Sequence, residues 1–157
     1  MKFYIILVYL FTAVTGCKKS QKEPDFFFSA KVNGNRYIPE GCANCITCTI
    51  LNDSIFIFGG NRGYESILIG FRDSRGITTK DYVLNDVKTN SGQYKNSTNY
   101  NDVFRTDSTR TGIFTLTKID KANKIVAGAF HYTGFNHYQG STINITDGRF
   151  RLNYTTY

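Results

Sequence analysis

From residue 26 to the end of the chain, short runs of alternating apolar and polar residues are broken by turn-forming residues about every 8 to 15 positions, a spacing that points to antiparallel strands. Phe28, Ala30 and Val32 alternate with Phe27, Ser29 and Lys31. Asn33-Gly34 follows at once, a dipeptide that favours a tight hairpin because both residues tolerate positive φ. Residues 35–38 read as the returning strand, and Pro39-Glu40-Gly41 ends it. Next come a run over 46–51, an Asn52-Asp53 turn and Ile55-Phe56-Ile57-Phe58, which is apolar on both faces and so is expected at the centre of a sheet. Residues 59–63 are glycine-rich and are expected to turn. A strand over 66–72, a turn over 73–76 and a short strand over 81–84 follow.

Residues 85–112 are mostly Asn, Ser, Thr, Asp and Gly. A structureless loop of that length is unusual in a compact domain, so one or two irregular edge strands are expected inside it. The last third is clearer. Residues 113–119 alternate, 120–123 turn, and Val126, Gly128, Phe130 and Tyr132 alternate with Ile125, Ala127, Ala129 and His131. Residues 133–140 read as a loop carrying Phe135, His137 and Tyr138. Ile143 and Ile145 lead to Asp147-Gly148, read as a hairpin turn, after which Phe150, Leu152 and Tyr154 alternate with Arg149, Arg151 and Asn153. Thirteen Phe, eleven Tyr and a single Met agree with strands rather than helices. The expected fold is a single all-β domain over 26–157, an antiparallel β-sandwich, with an open or closed antiparallel barrel as the alternative. Tandem hairpins of this kind need no crossovers.

The N-terminus follows a different rule. Lys2 is succeeded by an apolar run over 3–14, twelve residues, short of the roughly 18 needed to span a bilayer, and then by small residues. Val14-Thr15-Gly16-Cys17 resembles the lipobox of bacterial lipoproteins. That resemblance implies a signal peptide over 1–16, cleavage before Cys17, and acylation of its thiol and new amino group, with more than one acyl chain giving lasting membrane attachment. The alternative is an ordinary cleaved signal that leaves Cys17 free to form a disulfide. Residues 18–25 are polar with one Pro and read as a tether. Lipoprotein sorting, carried over by the same resemblance, retains an Asp after the Cys at the inner membrane. Lys18 stands there instead, so the expected location is the outer membrane, facing either the periplasm or the exterior.

A second resemblance rests on Val32-Asn33-Gly34 with Tyr37, and on the segments 111–120, 125–130 and 143–150. Together they are similar to small β-rich lipoprotein domains of unknown function common in Bacteroidota. Many of those domains carry Trp where this chain has Tyr37, and the cysteine cluster is not part of their pattern. The resemblance brings no catalytic residues with it.

The formal charge of +7 falls by one when Lys2 leaves with the leader. The basic residues are scattered, with no run beyond Lys18-Lys19, which reads as a solvated basic surface. Export argues against nucleic acid as a partner. Cys42, Cys45 and Cys48 form two overlapping Cys-x2-Cys pairs. In an oxidising compartment one disulfide among them with one thiol left over is the first reading, and a zinc site completed by His131 or His137 is the second. No cofactor is expected. His131 reads as a strand histidine at the edge of the core. His137, with Phe135 and Tyr138, and also Tyr94 and Tyr100, are the candidate ligand-binding residues, since loop side chains converge on ligands.

No Gly-x-Ser-x-Gly elbow, His-Glu-x-x-His or phosphate loop is present, and most Asp fall in turns, where they cap backbone groups. The expected function is therefore a lipid-anchored envelope protein that acts as a binding or structural module without catalysis. Its partners would be the membrane, through the N-terminal lipid, and a glycan or envelope protein. The alternatives are a glycan- or peptide-binding accessory lipoprotein and a small envelope hydrolase.

Overall fold

The computed structural model describes residues 26–41, 44–99 and 101–157. The expected signal peptide, Cys17 and the tether lie outside the described residues, as do Cys42 and Tyr100. Among the described residues the chain is all β. Its first half forms β1 (Phe27–Val32), β2 (Asn35–Tyr37), β3 (Ile46–Leu51), β4 (Ile55–Arg62), β5 (Glu65–Arg72) and β6 (Asp81–Leu84). The second half forms β7 (Ser91–Lys95), β8 (Val103–Arg105), β9 (Gly112–Asp120), β10 (Ile125–Asn136), β11 (Ser141–Asn153) and β12 (Thr155–Thr156).

These strands make one sheet in the order β12-β3-β4-β5-β7-β8-β10-β11-β1-β2, with β9 and β6 branching from β10. Every strand pair is antiparallel except β12 with β3. The long β10 is shared: Ile125 to Tyr132 pair with β9, while Phe135 pairs with β8. That fork lets the sheet fold onto itself as two layers, β3-β4-β5 over β1-β11-β10-β9. Alternation aims Phe56, Phe58 and Phe71 from one layer at Phe28, Phe114, Phe130 and Phe150 from the other, all at or below 3 % exposure. The rings interlock, Phe58 on Phe150 at 4.7 Å, Phe56 on Phe114 at 5.3 Å and Phe71 on Tyr82 at 4.0 Å. The open side between β2 and β4 is narrowed where the Glu40 amide donates to the Asn61 carbonyl at 3.0 Å.

The Asn33-Gly34 hairpin forms as expected, with φ of 47° and 83°. Asn52 and Asp53, with φ of 46° and 52°, make the next tight turn, closed by the Ser54 amide on the Leu51 carbonyl. Five expectations need correction. Gly59 and Gly60 do not turn but continue β4, and the turn falls at Gly63. They are small because Gly60 packs beneath the core: a Cβ there would lie 2.6 Å from Pro39 and 3.1 Å from Phe28.

Asp147-Gly148 is likewise not a hairpin. It sits inside β11 as a bulge, where three residues of β10, Phe130 to Tyr132, stand opposite four of β11, Ile145 to Gly148. Asp147, with φ of 52°, absorbs the extra residue, so β11 bends without ending. The loop expected over 133–140 shrinks to 137–140, because β10 continues through Asn136 while pairing with both β11 and β8. Finally, crossovers do occur. β6 leaves the layer of β5 to pair with β9, and the two strands found within 85–112, β7 and β8, are interior rather than edge strands.

Candidate functional site

Three tyrosines point inward and close one end of the core. The Tyr37 hydroxyl donates to the Gly60 carbonyl at 2.7 Å, and the Tyr132 hydroxyl to the Gln93 carbonyl at 2.5 Å. Tyr94 donates to Glu65 Oε1 at 3.1 Å, and Arg62 clamps the same carboxylate through Nε at 2.7 Å while its guanidinium lies over the Tyr37 ring at 4.8 Å. Burial, then the nearby Glu65 charge, raises the pKa of Tyr37 and Tyr94, so both stay neutral donors. Tyr94 therefore belongs to the core at 3 % exposure and not to a ligand-facing loop. In β7 the inward positions are Gly92 and Tyr94, which leaves Gln93 on the outer face.

That outer face carries the candidate site. Register places Leu68, Gln93, Arg105 and Phe135 side by side across β5, β7, β8 and β10. Beside this row lies a groove of about 470 Å³, lined by Val87, Gln93, Val103, Arg105, Phe135, His137 and Tyr138. Among the described residues its lining holds no carboxylate and no Ser or Cys. The structure thus brings together Phe135, His137 and Tyr138, with Phe135 supplied by a strand rather than a loop. Gln93, Arg105 and Val103 come from the segment that sequence patterning left irregular. Arg105 follows the inward Phe104, and that alternation is the one local signal for it.

The Phe135 ring is held by its neighbours. The Arg110 guanidinium lies 3.8 Å above the centre of Phe135, and His137 meets the same ring edge-on at 4.9 Å. Arg110 is itself fixed by Asp107, whose Oδ1 accepts the Thr109 and Arg110 amides at 2.8 and 2.7 Å. Partial burial pushes the Asp107 carboxyl up, but these hydrogen bonds and those from the Thr109 hydroxyl and Arg110 guanidinium outweigh it and take its pKa down to about 2. Asn136 is wholly buried and organises the 137–140 turn. Its Oδ1 accepts the Tyr138 and Gln139 amides at 2.9 and 3.1 Å, and its Nδ2 donates to the Asn101 carbonyl at 2.8 Å. Gln139 Nε2 donates to Asp102 Oδ1 at 2.6 Å, tying the turn to the residue just before β8. Tyr138 is 78 % exposed on this braced turn.

The other candidates lie elsewhere. His131 is exposed on β10 opposite Ile113, away from the groove. Cys45 and Cys48 are both buried, Cys48 as a free thiol packed in the core. Cys48 faces inward on β3, while Cys42, the third thiol of the zinc alternative, lies outside the described residues. Among the described residues no group of three His, Cys, Asp or Glu side chains is placed to hold a metal. Burial pushes the Cys48 thiol up to about 12. Cys48 is accordingly expected to ignore a thiol reagent at neutral pH and to react once the chain is unfolded in guanidinium. Reaction in the native state would contradict its placement.

The fold and groove define an all-β domain with a braced aromatic surface. The chain belongs to the family described as a domain of unknown function, DUF6252, whose model matches residues 25–152. No match is found among curated proteins or among solved structures.

Proposed function

We propose that this chain is a lipid-anchored protein of the bacterial outer membrane that acts as a binding or structural module without catalysis, and that it binds through the groove of Gln93, Arg105, Phe135, His137 and Tyr138. The anchor rests on the lipobox resemblance of Val14-Thr15-Gly16-Cys17. In this reading Cys45 pairs with Cys42, in keeping with an oxidising compartment. Export leaves nucleic acid out of the partner list.

The observation that carries the binding role is the exposure of Tyr138 on a turn held by a fully buried Asn136. A large ring held in water by such a brace gains nothing for the fold. A rigid aromatic with polar neighbours is what a ligand uses. Tyr138 and His137 offer flat faces to the C–H side of a sugar ring, while Gln93 and Arg105 offer planar hydrogen-bonding groups to its hydroxyls. A saccharide is therefore the first ligand class. Among the described residues the lining holds none of the carboxylates on which glycoside hydrolysis ordinarily relies, which supports binding over hydrolysis.

Geometry also supports a separation of anchor and ligand. Phe27 pairs with Arg151, which pairs with Ala127, and Asn136 lies nine residues further along β10. At about 3.3 Å per residue, roughly 30 Å separates the point where the tether joins from the His137–Tyr138 turn. A second reading, an envelope-protein partner, is favoured by Ile57 and Leu68, which lie exposed on the same outward face of β4 and β5.

On an array of envelope and plant polysaccharides, the protein is expected to bind at least one glycan, and Tyr138→Ala to lose most of that binding. Because Tyr138 touches little of the core, the same change is expected to alter stability by no more than about 0.5 kcal/mol. Glycan binding that is indifferent to Tyr138→Ala would contradict the site. Absence of any glycan would favour the protein partner.

A further inference from the structure

A second surface lies on the opposite layer. Along the outer face of β1, β11, β10 and β9, register sets Phe27 beside Arg151 and Arg151 beside Ala127, and in the next row Ser29 beside Arg149 and Arg149 beside Ala129. Arg36 of β2 pairs with Lys31 on the same face. Small residues at 127 and 129 leave a shallow trough of about 210 Å³ on one side of Phe27 and Arg149. On the other side is a larger groove of about 530 Å³, walled by Phe26, Ile38, Pro39 and Ile46, with Arg36 and Arg149 at its margin. Phe26 is 50 % exposed. Of the acidic groups on this face, Asp147 and Asp120 are each within 4 Å of a lysine, Lys31 and Lys118, and Asp81 of β6 accepts the Thr115 hydroxyl three strands away from Arg149.

We infer that this face lies against a bilayer containing anionic phospholipid, its arginines meeting headgroup phosphates and Phe26 entering the interface beside them. Two observations select a membrane over other acidic partners. Positive charge and exposed aromatic surface occur together, the combination that holds peripheral proteins at anionic bilayers. The tether also joins at Phe26 itself, and eight residues, 18–25, reach at most about 28 Å when fully extended. A domain on so short a connector keeps this face close to whatever surface holds residue 17. The inference goes beyond the anchor, and it predicts affinity for the bilayer in a chain that carries no lipid.

The test uses residues 18–157, which include every described strand and the whole of the core, with folding checked by circular dichroism. The probe is a vesicle of phosphatidylcholine, with or without phosphatidylglycerol. Sedimentation with the mixed vesicles is expected to exceed that with phosphatidylcholine alone by tenfold or more and to fall as salt is raised. Arg149→Ala and Arg36→Ala are each expected to lower partitioning about fivefold. Phe26→Ser should lower it as well. Lys88→Ala removes an exposed charge from the other layer and should change nothing. Equal sedimentation with both vesicles, no sedimentation with either, or an equal loss with Lys88→Ala would overturn the inference. Because this chain lacks Cys17, none of these outcomes depends on whether that residue is acylated.

Discussion

Phe58→Ala is expected to lower the unfolding free energy by about 3–5 kcal/mol, a large part of the 5–15 kcal/mol typical of a domain. Phe58 is fully buried and is the ring through which the two layers of the sheet meet. It stacks on Phe28 at 5.0 Å and touches Phe114, Phe130 and Phe150 at 5.5, 5.6 and 4.7 Å. Truncation would remove buried apolar area and also leave a void, because its neighbours are tied into β1, β9, β10 and β11 and have little freedom to collapse. Urea denaturation would report the loss as a lower midpoint with an unchanged slope. A change below about 1 kcal/mol would mean that the layers do not pack through this ring.

The second large effect belongs to a residue with no side chain. At Gly128 the register of β10 slips against β9, and a Cβ there would sit 2.0 Å from the Thr115 carbonyl oxygen and 2.9 Å from the Phe150 ring. The first obstacle is backbone and cannot rotate away. Gly128→Ala is expected to cost about 3 kcal/mol or more, since either the β9 pairing or the Phe150 packing must shift. Gly70→Ala is the matched comparison. Its Cβ would meet only the Phe56 carbonyl, at 3.8 Å, an ordinary contact, so it is expected to stay within about 0.5 kcal/mol of the parent. Similar denaturation midpoints for the two variants would show that close approach at Gly128 is not what fixes the sheet.

These two positions show which parts of the fold were legible. Alternation grouped Phe28, Phe130 and Phe150 with the other inward residues of their strands, because a period of two assigns each side chain to a face without reference to a partner, whereas Phe58, in a run apolar on both faces, took its face from the neighbouring strands. Turn chemistry was legible at Asn33-Gly34 and Asn52-Asp53. It misled at Gly59-Gly60 and Asp147-Gly148, since the same residues that permit a turn also permit close packing and a bulge, and only the neighbouring strand decides between them. Residues 133–136 looked like a loop for the same reason: their strand character comes from β8 and β11, which are distant or later in the chain.

The site divides along the same line. Phe135, His137 and Tyr138 were visible as a local aromatic cluster. Gln93 and Arg105 reach them only through register, and Tyr94 was assigned to a loop because nothing nearby revealed that β7 is an interior strand with Tyr94 on its buried face. Asn136 carried a local signal, an Asx residue placed before a turn, but its weight comes from burial against the Asn101 carbonyl.

The central claim is that residue 17 is acylated and that the folded body hangs from it. Intact mass spectrometry of the chain extracted from the membrane fraction of the organism that makes it tests this most directly. The account predicts a chain that begins at Cys17 and carries fatty acyl groups there, and a Cys17→Ala variant that carries none and leaves the membrane-anchored pool. A native chain free of fatty acid that still retains its first sixteen residues would contradict it.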